Sequence, residues 1–66
     1  MYNGTMKRYA IEDTVEFRSG ERHLYGVIMS AEKDEEDQLV FQIFAGNLIY
    51  RNIREEDILK NFGSQQ

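Results

Sequence analysis

At 66 residues the chain holds one domain at most. With no cysteine and a single histidine, His23, it has no disulfide, thiolate-metal or histidine-rich zinc site to lean on, so it depends on an efficient small core, on association, or on both. The formal charge of −4 and a pI near 4.8 disfavour a phosphate-neutralising role, while an apolar content of 41% is too high for a disordered chain.

Residues 1–8 show neither a period-2 nor a period-3.6 apolar pattern and read as a mobile end. Met6-Lys7-Arg8 looks like an ordinary translation start, so the preceding "MYNGT" reads as an extension. The leading residues lack the apolar middle of a signal peptide, and no apolar run approaches the roughly 20 residues that span a bilayer. These readings make a cytoplasmic protein the expectation, with no membrane role.

From Thr14, "TVEFR" alternates, Val15 and Phe17 against Glu16 and Arg18, as a half-buried strand does. "SGER" is a turn. A second strand, "HLYGVIMSAE", is apolar on both faces: Leu24 and Ile28 on one, Tyr25, Val27 and Met29 on the other. Gly26 interrupts it, which implies a bend, a bulge or a close backbone approach. The block Glu32-Lys33-Asp34-Glu35-Glu36-Asp37 then reads as the water-facing turn of a hairpin, since it lacks the alternating ligands and central glycine of a calcium loop. A third strand, "QLVFQIF", places Leu39, Phe41 and Ile43 on one face and Val40, Gln42 and Phe44 on the other. "AGN" is a tight turn and "LIYRNI" a fourth strand. The end admits two readings. Asn52, Glu55 and Gly63 carry helix-capping signals; the alternative is one helical turn over Arg54–Glu56 followed by a short strand over Asp57–Lys60. The overall pattern favours turn and strand. The predicted ordered region is 9–62, with 63–66 a frayed tail.

Four or five short strands with turns every eight to twelve residues predict a mainly all-β chain, a small antiparallel barrel. The order "DTVEF", polar loop, "YGVI", acidic turn, "LVFQI", tight turn, "LIYRNI" and "EEDIL" resembles small SH3-like barrels of KOW- and Tudor-like type, and the short barrels of bacteria and their phages. The resemblance spans roughly Glu12 to Lys60. It implies the barrel and carries little about function, because one barrel type hosts many.

No catalytic constellation is visible. His23 stands alone beside Arg22 and Glu21, the serines have no motif around them, and a chain this short leaves little room for a substrate pocket. The expectation is a non-catalytic interaction module without cofactor, metal or small-molecule substrate. It would bind a protein partner or a second copy of itself through Tyr25, Phe44, Tyr50 and Arg51, over a core of Ile28, Leu39, Phe41, Ile43 and Ile49. Tyr, Phe and Arg are enriched in interface centres, and one small barrel cannot hide two apolar faces. The alternative is an RNA- or DNA-binding barrel, with Arg18, Arg22, Arg51 and Arg54 flanking the stacking faces of Tyr25 and Tyr50. A minor alternative is an acidic mimic of nucleic acid built on Glu32–Asp37 and Glu55–Asp57.

Overall fold

A computed structural model of the chain describes residues 9–64. Of the predicted mobile ends, 1–8 and 63–66, residues 1–8 and 65–66 lie outside the described residues. Five strands, β1 (Asp13–Ser19), β2 (Arg22–Lys33), β3 (Leu39–Ala45), β4 (Leu48–Arg54) and β5 (Ile58–Ser64), form one antiparallel sheet in the order β4-β3-β2-β1-β5. The one helical element among the described residues is a 3-10 turn, Glu55–Asp57, so turn and strand prevail over helix. β5 runs on to Ser64, past the predicted strand end at Lys60 and the predicted end of the ordered region at 62. Gly63 and Ser64 pair with Thr14 and Asp13, and the Gly63 N–H donates to the Asn61 side chain at 2.9 Å.

The sheet is coiled. β1 and β4 stand three places apart in the order, yet Phe17 of β1 meets Tyr50 of β4 edge-on at 5.5 Å between ring centroids. The molecule is a folded-over slab, 35 × 30 × 17 Å, with β4 and β5 at the edges of the sheet. Val15, Phe17, Ile28, Phe41, Ile43, Ala45, Ile53 and Ile58 form one buried cluster drawn from all five strands. Tyr9 packs edge-on against Phe41 at one end of it.

Gly26 permits the coiling. It is buried opposite Val15, and a Cβ there would lie 2.5 Å from the carbonyl oxygen of Phe44 and 2.8 Å from Ile43 Cγ2. β3 therefore crosses β2 at a separation that only glycine allows.

Two expectations about the core are corrected. Ile49 is exposed and Ile53 is buried in its stead. The connection between β3 and β4 is a two-residue turn, Gly46 and Asn47 with φ of 58° and 70°, which sets Ala45 opposite Leu48, Phe44 opposite Ile49 and Ile43 opposite Tyr50. Cross-strand partners share a face, so Tyr50 follows Ile43 inward and Ile49 follows Phe44 outward. An irregularity at Asn52 (φ 57°) then shifts the register by one and returns Ile53 inward, opposite Phe41. Val40, expected outside the core, is buried; its ladder neighbours are Glu32 and Arg54. Leu39 is half-buried at the cluster's margin.

Candidate interaction surface

The polar end of the molecule is self-contained. The acidic block closes the β2–β3 hairpin: the Asp37 N–H donates to the Asp34 carbonyl at 3.0 Å, and Asp37 takes a left-handed φ of 65°. The Asp34 carboxylate accepts the N–H groups of Gln38 and Glu36, each at 2.9 Å. The Gln38 N–H above all, with that of Glu36 and the nearby Arg54 guanidinium, holds the Asp34 carboxyl below the usual aspartate range, against the opposing effect of desolvation. Arg54 donates to Gln38 Oε1 at 2.8 Å and lies 3.8 Å from Asp34, while Lys33 lies 3.5 Å from Asp37. Beneath this turn a hollow of about 600 Å³ opens between Tyr9, Leu39 and Ile58, rimmed by Lys33, Asp37, Arg54 and Glu56. At the opposite end of β1, the buried Asp13 carboxylate accepts the Ala10 N–H at 2.9 Å and the Asn61 amide at 3.0 Å, tying the chain entrance to β5.

The four arginines of the nucleic-acid reading are placed as follows. Arg18 is bound to Asp57 at 3.1 Å and Arg54 to the acidic turn. Arg22 and Arg51 are exposed and form no ion pair among the described residues. Tyr25 and Tyr50 do not form one stacking platform. Tyr25 is opposite Glu16 on the outer face of the sheet, whereas Tyr50 is opposite Ile43 on the inner face, half-buried against Phe17. His23 is exposed, its Nδ1 3.7 Å from Glu16. Among the described residues no three His, Cys, Asp or Glu side chains converge as a metal site would require, and no helix is long and apolar enough to cross a membrane.

The outer face is where apolar groups lack cover. Ile49, Phe44 and Val27 stand in one cross-strand row over β4, β3 and β2, all exposed. Next to the row, Ile11, Val27, Met29 and Phe44 line a shallow groove of about 480 Å³ whose one charged neighbour is Glu12. Tyr25 follows two residues along the same face of β2 and is 61% exposed; its ring lies 6.1 Å from that of Phe62, which Lys60 overhangs at 5.2 Å. Of the four residues expected to bind a protein, the structure brings Tyr25 and Phe44 together on this face. Arg51 sits farther out on β4, beside a small hollow with Glu32 and Gln42. Tyr50 belongs with the core.

Sequence reasoning missed Ile11, Ile49 and Phe62 as members of this surface. For Ile49 the signal was present: a Gly-Asn pair between apolar runs fixes a two-residue turn and hence the register. Phe62 has no such local signal. It is the extra residue of a bulge between the Asn61–Val15 and Gly63–Thr14 pairs, as Leu59 is of the bulge before it and Met29 of the one between Ile28 and Ser30. Bulges re-aim side chains, and these three hold apolar side chains on the exposed surface. Ile11 arrives at the groove through the kink at Glu12 (φ 80°), whose N–H donates to the Ile28 carbonyl at 2.8 Å.

Comparison with protein-family models, with curated proteins and with solved structures gave no match.

Proposed function

We propose that this chain is a non-catalytic interaction module that docks a protein through the outer face of its sheet, centred on Phe44, Val27 and Tyr25. The observation that carries this reading is the exposed row Ile49–Phe44–Val27, on a sheet whose other face already supplies the core. A domain of this size has little apolar area to spare, so leaving these side chains in water is costly unless another surface covers them. The meander of β1 to β4, with one 3-10 turn leading into a last strand that pairs back on β1, supports kinship with SH3-like barrels. In this reading the module works in the cytoplasm, with no cofactor and no small substrate.

The test is retention of protein on immobilised chain. Phe44→Glu and Tyr25→Glu should abolish capture that Glu35→Lys, in the acidic turn, leaves intact. Capture that ignores the outer face and follows the turn would contradict the reading. Titration of labelled single-stranded RNA and DNA at low salt separates the nucleic-acid alternative, whose affinity must fall steeply as salt rises.

A further inference from the structure

Resting on the reading that the outer face docks protein, we infer that its occupant is a second copy of this chain, packed face to face about a twofold axis lying along the Ile49–Phe44–Val27 row. Three observations carry the choice.

The first is area. Aromatic side chains present about 150–250 Å² when free, and aliphatic ones somewhat less. Ile11, Tyr25, Val27, Met29, Phe44 and Ile49 are 37–61% exposed, and so offer roughly 500–600 Å² per copy. Two such faces bury about 1,000–1,200 Å², the lower bound for a specific interface, and match a reversible dimer rather than an obligate one.

The second is shape. A twofold interface must be complementary to itself, which requires a projection and a hollow on the same patch. Both are present on β2. Tyr25, the most exposed of the large apolar side chains, stands two residues before Val27, and the groove beside Met29 and Ile11 lies two residues after it. An axis between the faces and along the ladder row reverses the direction of β2. It therefore sets Tyr25 of each copy over the groove of the other. The same operation brings Glu12 of one copy opposite the Glu16–Lys60 row of the other, so the rim meets in mixed charge, with Glu16 nearer and Lys60 one strand farther out.

The third is what the sheet edges refuse. The two edge strands are the other places where a second copy could add. β5 carries two bulges and Lys60, and β4 is broken at Asn52 with a left-handed φ. Bulges and edge lysines are the usual means of blocking strand addition. The faces carry no such block.

Sedimentation equilibrium of the full chain across a concentration series tests this. The mass should rise from 7.8 kDa toward twice that value. Phe44→Glu and Tyr25→Glu, which remain folded by circular dichroism because both sites are exposed, should each weaken association at least tenfold. Native cysteine is absent, so orientation can be read with a short bifunctional thiol reagent. Val27→Cys, near the axis, should link to itself. A mixture of Tyr25→Cys and Met29→Cys should link between chains, and Tyr25→Cys alone should not.

A full chain that stays monomeric throughout overturns the inference. So does a dimer indifferent to both glutamate variants, or Tyr25→Cys linking to itself more readily than Val27→Cys. A monomer that becomes dimeric only after deletion of residues 1–8 assigns the face to the leading segment instead, and also overturns it. If the chain is monomeric but still captures another protein in a Phe44-dependent way, the docking reading survives and the second copy alone is lost.

Discussion

The acidic turn and the outer face of the sheet are opposite cases. The turn carries the densest charge in the molecule, and its key groups already have partners: Asp34 is satisfied by two backbone N–H groups and approached by Arg54, and Lys33 sits by Asp37. The outer face is chemically plain, and apart from Lys60 over Phe62 its apolar groups have little beside them but each other. Density of charge in a sequence is therefore a poor guide to where a small protein has interaction energy left over. An exposed ion pair yields little net energy, typically below about 1 kcal/mol, whereas a large apolar side chain left about half in water forgoes about half of the roughly 1.5–3 kcal/mol that full burial returns.

The contrast can be broken most forcefully at Gly26, where the two faces are held together. Gly26→Ala places a methyl group against the Phe44 carbonyl, and the backbone of β3 must move. The expected cost is about 2–4 kcal/mol, much of the roughly 3–5 kcal/mol that a domain of this size commands. Urea titration followed by far-UV circular dichroism should show a large loss of the folded state, and a stability close to wild type would mean that β3 does not approach β2 in this way.

Within β4 the comparison sharpens to adjacent residues. Tyr50→Ala removes a ring packed on Phe17 and should cost about 2–3 kcal/mol. Ile49→Ala, on the outer face, should cost less than about 1 kcal/mol. Thermal unfolding of the two variants decides the register of the strand, since a reversed order would restore Ile49 to the core.

That pair also shows how far the sequence was legible. Alternation in "LVFQI" located Phe41 and Ile43 in the core correctly, and alternation in "TVEFR" put Val15 and Phe17 together on the face that proves buried, because β1 and β3 keep period 2 wherever these residues lie. The acidic block was read as a turn, which holds for Asp34–Asp37, whereas Glu32 and Lys33 extend β2 and pair with Val40 and Leu39. β4 was misread because alternation alone does not say which of two apolar sets faces inward. The two-residue turn does say, and the bulge at Asn52 then undoes its rule. On the outer face the legible residues, Tyr25, Val27, Met29 and Phe44, lie on β2 and β3, where strand pattern dominates. Phe62 and Ile11 were illegible because a bulge and a left-handed kink, both products of tertiary pairing, put them there.

Smaller effects are expected at the turn. The Asp34 carboxyl is held below its ordinary value by hydrogen bonds to its charged form. Its contribution to stability is therefore present above the unfolded value, near 4, and is lost as pH falls through the lower, folded value. Acid titration should loosen the β2–β3 hairpin of the wild type, measured by amide exchange at Glu36 and Gln38. Asp34→Ala should remove this pH dependence while leaving self-association intact. Loss of association in Asp34→Ala would mean that the turn is part of the interface after all.

The smallest effect is expected at Ser30, whose hydroxyl is buried beside a bulge with no hydrogen-bond partner among the described residues. Ser30→Ala removes an unmet polar group and should leave stability unchanged or raise it by up to about 1 kcal/mol. A clear loss by urea titration would show that the hydroxyl has a partner in solution.

The central claim, that copies of this chain meet through the outer face and not through the acidic turn, is tested most directly by the amide shifts of the full chain in solution, recorded by two-dimensional NMR from about 1 mM down to about 10 µM, the range of weak association. The account predicts concentration-dependent shifts at Tyr25, Val27, Met29 and Phe44, with Glu35 and Glu36 still. Movement confined to the turn, or an outer face that does not respond at any concentration, would contradict it.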